Sequence, residues 1–134
     1  MPASIPLPPR LYFSYGQFMV FDAAVSAPGC LWTDIHNAQG FARRESTVSF
    51  ATLVEFGYAD VFYHEGHFQS EKTYERAIAV PFAVVSGKVV VAGPEEIKIA
   101  RALELPPGNY RIVAAQRLRG DEEELIDRMA LELS

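Results

Sequence analysis

The sequence predicts an all-β domain: an antiparallel β-sandwich with one short helix in a long connecting loop. Three observations carry that reading. Apolar residues recur at every second position in run after run, which is the period of a half-buried strand. Glycine, proline, serine and asparagine separate those runs at short intervals, as in sandwiches. The 134 residues, 49% of them apolar, suffice for one domain with its own core.

The elements follow in order. Residues 1–9 carry four prolines and no charged or apolar signal region, so they read as a flexible Pro-rich leader. Leu11, Phe13 and Tyr15 alternate onto one face of a first strand. In 18–22, Phe18 and Val20 face one way, Met19 and Phe21 the other. Thr33 and Asp34 are placed to cap a short helix through His36, Ala38 and Phe41, with Gly40 breaking it early. Val48, Phe50, Thr52, Val54 and Phe56 then predict a strand over 48–56. In 58–64, Val61 and Tyr63 oppose Tyr58, Asp60 and His64. Arg76, Ile78, Val80, Phe82 and Val84 alternate with small residues. Pro81 cannot donate to a ladder, so this strand belongs at an edge or carries a bulge. Ser86-Gly87-Lys88 is a hairpin turn into Val89-Val90-Val91. Ile97, Ile99 and Leu103 predict another strand, Leu105 to Asn109 a turn, and Tyr110 to Leu118 the next run. The tail alternates again from Leu125 to Leu133.

Charge narrows the function. Twelve basic and seventeen acidic residues give a net charge of −5 and a pI near 5.1. Such a chain is poorly suited to nucleic-acid phosphate, which needs a basic face, and better suited to a basic partner. The acids concentrate late: residues 95–134 hold nine acids and six bases, including Asp121, Glu122, Glu123 and Glu124 just before the last strand. That run reads either as a solvated turn or as an anionic surface that imitates nucleic acid to a basic protein. A single cysteine excludes an internal disulfide and fits a reducing compartment, and no apolar run approaches the roughly 20 residues of a membrane span, so a cytoplasmic protein is expected.

Several constellations invite chemistry. His64-Glu65-Gly66-His67 suggests a metal site and with it a metal-dependent enzyme. It lacks the helical zinc spacing and a further soft ligand, so an exposed hairpin loop is the plainer reading. Cys30, Asp34 and His36 have the types of a nucleophile, orienter and base but sit within one short loop. Trp32 serves either as an interface anchor or as a core plug. Arg43-Arg44-Glu45 reads as a salt-linked surface patch open to recognition. Tyr12, Tyr58 and Tyr63 would give a lectin-like or lipid-binding sandwich if they shared a concave face. No glycine-rich phosphate loop and no nucleophile elbow occurs, and no cofactor is expected.

One further pattern is made of ordered short matches. Ser14-Tyr15-Gly16-Gln17-Phe18-Met19-Val20-Phe21, Trp32-Thr33-Asp34, Gly40-Phe41-Ala42, Ser49-Phe50, Tyr74-Glu75 before Val80-Pro81-Phe82, and Leu105-Pro106-Pro107-Gly108-Asn109-Tyr110 follow one another. In these the sequence resembles the competence protein J family. The resemblance implies an inhibitor of a DNA-entry nuclease that acts by protein–protein binding and not by catalysis. A relative acting as immunity protein against another toxin is the neighbouring possibility. The partner expected on either reading is a basic nuclease or toxin, met by Asp34, Glu45, Asp121, Glu122, Glu123 and Glu124.

Overall fold

A computed structural model of the chain describes residues 5–6, 10–25, 39–53, 55, 57–66, 75–94, 102–118 and 124–133. Its strands are β1 (Ile5–Pro6), β2 (Leu11–Phe13), β3 (Gln17–Asp22), β4 (Phe41–Arg44), β5 (Thr47–Ala51), β6 (Gly57–Glu65), β7 (Arg76–Val84), β8 (Lys88–Ala92), β9 (Ala102–Glu104), β10 (Gly108–Leu118) and β11 (Glu124–Leu133). They form a six-stranded sheet in the order β1-β6-β11-β10-β7, with β2 also paired to β6, and a five-stranded sheet in the order β4-β5-β3-β8-β9. The predicted all-β sandwich is what the chain builds. One pairing departs from the antiparallel rule: β6 and β11 run parallel, with Tyr58 opposite Glu124 and Val61 opposite Asp127. Parallel neighbours need a long crossover, and β7 to β10 supply it.

The core lies between the sheets. Phe18, Val20, Val48, Phe50, Val89 and Val91 from one sheet meet Leu11, Phe13, Val61, Val80, Phe82 and Ile112 from the other. Alternation along each strand puts these residues on the inner face. Phe18 and Phe50 are cross-strand partners whose rings stack at 5.4 Å. β3 is buried on both faces, as its sequence predicts: Met19 and Phe21 join Ala92 in a second, outer apolar cluster.

β7 occupies the predicted bounds and is a sheet edge. The amide of Ala83 points away from β10 and donates to the Glu45 carbonyl, 2.9 Å away in the β4–β5 turn. Two residues earlier, the nitrogen of Pro81 points the same way, so its missing hydrogen costs the ladder nothing.

Buried polar groups tie the sheets together. Gln116 is fully buried on the inner face of β10. Its Nε2 donates to the Ala51 carbonyl at 2.8 Å, and its Oε1 accepts from the Leu53 amide at 3.2 Å. Arg76 Nη1 donates to the same Ala51 carbonyl at 3.1 Å. Asp22, buried at the end of β3, accepts from the Ala24 amide at 2.9 Å and from the Val85 and Ser86 amides at 2.7 and 2.9 Å. It thereby fastens the β7–β8 turn to the other sheet. Burial opposes ionisation of Asp22, but the three amides and the Ser86 hydroxyl outweigh it and hold the carboxyl below its ordinary range.

Four local expectations are corrected. Ile5 and Pro6, inside the expected flexible leader, pair as β1 with Tyr63 and Phe62 of β6. Phe41, assigned to a short helix, opens β4, and Gly40 before it turns the chain at φ 86°. Thr33, Asp34, His36 and Ala38 of that helix lie outside the described residues. The strand expected over 48–56 ends at Ala51: the Thr52 amide makes a last bond to Gly16, its partner in the β3 register, and the Leu53 amide then turns to the Gln116 side chain. Tyr15, expected on the core face with Leu11 and Phe13, is at a turn and 73% exposed.

Candidate partner-binding surface

Ser14-Tyr15-Gly16-Gln17 joins β2 to β3 by a two-residue turn, with Ser14 bridged to Gln17. Both central residues have positive φ, 56° at Tyr15 and 65° at Gly16. That is the hand of turn which matches strand twist, and it prefers Asn-Gly. Glycine adopts it freely, whereas an ordinary side chain costs about 1–2 kcal/mol there. Tyr15 bears that cost without burying its ring. The turn is nonetheless clamped: the Gly16 amide donates to the Glu55 carbonyl at 2.7 Å, and the Gly16 carbonyl accepts from Thr52 at 2.9 Å. Ser49 Oγ donates to Gln17 Oε1 at 2.7 Å, fixing the start of β3.

A second aromatic feature lies at the same end of the molecule. Tyr12 and Tyr58 are cross-strand partners with ring centroids 5.3 Å apart, and Tyr58 is 50% exposed. The Arg10 guanidinium stands 5.6 Å from the Tyr58 ring centroid, and its Nε donates to Asp60 Oδ1 at 2.9 Å. A partly exposed ion pair adds little stability, so its consequence is to fix the pose of Tyr58. Parallel register sets Glu124, the last acid of the 121–124 run, opposite Tyr58. One end of the sandwich therefore gathers the Tyr15 turn, exposed Glu55, Tyr58 and the start of β11.

The residues predicted from sequence are distributed unevenly. Asp34, Asp121, Glu122 and Glu123 lie outside the described residues, as do Cys30, Trp32, His36 and His67. Glu45 is exposed in the β4–β5 turn beside Ala83, which pairs with Asn109. Glu124 adjoins Leu125, which pairs with Leu118. The run of β10 between Asn109 and Leu118 spans about 30 Å at roughly 3.3 Å per residue. Glu45 and Glu124 thus sit at opposite ends of the sheet and do not form one acidic patch.

The remaining motifs change character in the fold. His64 is only 4% exposed and lies within β6 opposite Ala130, so it does not belong to an exposed hairpin loop. Glu65 ends β6. Among the described residues, no three His, Cys, Asp or Glu side chains converge as metal ligands would. Tyr58 and Tyr63 fall on opposite faces of β6, with Tyr63 packed against the core, so the three tyrosines do not make one concave face. Arg43 and Arg44 are exposed at the end of β4. Sequence reasoning missed Tyr15 as a surface residue, although the glycine after it carries the turn signal.

Residues 10–134 match the family described as competence protein J (ComJ). The chain belongs to the competence protein J family. That match takes in β2 through β11 and therefore both sheets and the aromatic end. A relative from Bacillus subtilis (strain 168), the "DNA-entry nuclease inhibitor", is 28% identical over 106 residues, which is 78% of this chain and 77% of that protein. The crystal structure of ComJ from Bacillus subtilis, described as inhibitor of the DNA degrading activity of NucA, superposes with a TM-score of 0.82. It is 22% identical and covers 100% of this chain and 99% of that one. A structure described as crocagin biosynthetic gene J is more distant, with a TM-score of 0.59 and 18% identity over 96% of this chain and 97% of that one. These two structures establish the shared ComJ fold.

Proposed function

We propose that this member of the competence protein J family inhibits a DNA-degrading nuclease by binding it, and that it does so without catalysing any reaction. The observation that carries the reading is the family match over residues 10–134, together with a relative that bears the name of a nuclease inhibitor. The chemistry supports it. A nuclease holds the DNA backbone with basic groups, and a rigid protein with net charge −5 is drawn to such a cleft. Among the described residues, Glu55 is exposed at the aromatic end, and the backbone of Glu124 starts β11 there. Asp121, Glu122 and Glu123 precede Glu124 in the chain. Complementary charge speeds association and confers salt dependence more than it adds affinity.

The test uses NucA, the nuclease named for the Bacillus subtilis protein, as partner. Changing Asp121, Glu122, Glu123 and Glu124 together to lysine is expected to slow association with NucA by about tenfold at low salt. The inhibition constant should then depend less steeply on salt than that of the unaltered protein. An unchanged rate and salt slope would remove the acidic run from the mechanism.

A further inference from the structure

We propose that the β2–β3 turn is the anchor with which this chain grips the nuclease. In this assignment the Tyr15 ring enters the partner's basic cleft and Glu55 pairs with a cation at its rim. The inference rests on the nuclease-inhibitor reading and names the surface that carries it out.

Tyr15 is unexplained by folding. It stands at φ 56°, a conformation that favours glycine or asparagine. A ring buried as that of Tyr110 is, packed in the core with its hydroxyl donating to the Pro106 carbonyl at 2.7 Å, would offset that strain. Tyr15 is instead 73% exposed. A strained backbone carrying an exposed aromatic ring is a combination that proteins keep where the ring has a use.

The setting fits a binding anchor. Backbone hydrogen bonds to Glu55 and Thr52 hold the turn still, so little order is lost when a partner closes on it. A tyrosine offers a flat apolar face, a hydroxyl and few rotatable bonds, which is why it recurs at the energetic centres of interfaces. The face of its ring attracts lysine and arginine. The clamp places exposed Glu55 directly beside the turn, and Tyr58 and the start of β11 lie at the same end. The occupant that this chemistry selects is a basic, cleft-bearing protein surface.

The experiment compares Tyr15→Gly and Tyr15→Asn with the unaltered chain in two measurements: inhibition of NucA and the urea midpoint of unfolding. Both substitutions suit positive φ, so the midpoint should stay level or rise. The inhibition constant should weaken by about 30-fold or more, the usual loss on truncating a central aromatic anchor. A functional loss joined to equal or greater stability is a pattern that a purely structural tyrosine would not produce. If the unaltered chain inhibits NucA and both variants inhibit equally well, the anchor is wrong and the nuclease reading stands. If both variants lower the midpoint, the strain on which the anchor rests is wrong. If the unaltered chain does not inhibit NucA, the functional reading falls and the anchor falls with it.

Discussion

Gly93→Ala is expected to destabilise the protein by about 3 kcal/mol or more, enough to unfold a marginal domain. Gly93 follows β8 and is buried where the chain crosses the backbone of β2. A Cβ there would collide with the Tyr12 carbonyl oxygen and lie 3.1 Å from the Phe13 Cα. Both are main-chain atoms of a strand pinned to β6, so neither can turn aside as a side chain would. Relief requires the sheets to part at β2, which would open the core around Leu11 and Phe13. Gly16→Ala makes a useful contrast. Its Cβ would meet open space, and only the positive φ is unfavourable, so the loss should be about 1 kcal/mol. Urea denaturation of the two variants should separate them clearly. Equal midpoints would mean that β2 does not approach Gly93 this closely.

Asp22→Ala is the second large effect, with an expected loss of about 3–5 kcal/mol at neutral pH. The substitution strips the amides of Ala24, Val85 and Ser86 of a shared acceptor whose own side chain is fully buried. It also frees the β7–β8 turn from β3. Asp22→Asn keeps the shape but replaces one acceptor with a donor facing donors, so it too should destabilise. The pH dependence has a definite sign. The folded carboxyl is held below its ordinary range, so the unfolded chain takes up its proton first as pH falls. The contribution of Asp22 is therefore fully present above the ordinary value, near pH 4, and is lost as pH drops through the lower folded value. Unfolding free energies measured from pH 6 down to pH 2 should fall more steeply for the unaltered protein than for Asp22→Asn. Parallel curves would show that folding does not lower the Asp22 carboxyl.

Much of the fold is legible in the residues themselves. Strand β7 follows from the alternation of Ile78, Val80, Phe82 and Val84, and Pro81 restricts it to an edge or a bulge, of which the fold takes the edge. The two-sided burial of β3 is written in Phe18 and Val20 against Met19 and Phe21. The misreadings share a physical cause: alternation describes side chains, whereas a strand ends when its backbone finds other partners. Val54 and Phe56 prolong the pattern of β5, yet the Leu53 amide bonds to the Gln116 side chain. Tyr15 continues the spacing of Leu11 and Phe13, yet Gly16 forces a turn that lifts it out of the core. Strands β1 and β4 are too short to show a period. The parallel pairing of β6 with β11 is a long-range choice that no local spacing encodes. The same holds for the surface, because charge order along the chain does not reveal that Glu45 and Glu124 end up at opposite ends of a sheet.

On the function proposed above, this protein acts on a nuclease by occupying it, without a reaction of its own. The most direct test is a time course with the nuclease in tenfold excess over the purified chain. Occupancy predicts that DNA degradation drops at once by a small, fixed fraction set by the mole ratio and then holds steady. A progressive decline toward zero would reveal turnover, and an unaltered rate at every ratio would mean that no such complex forms.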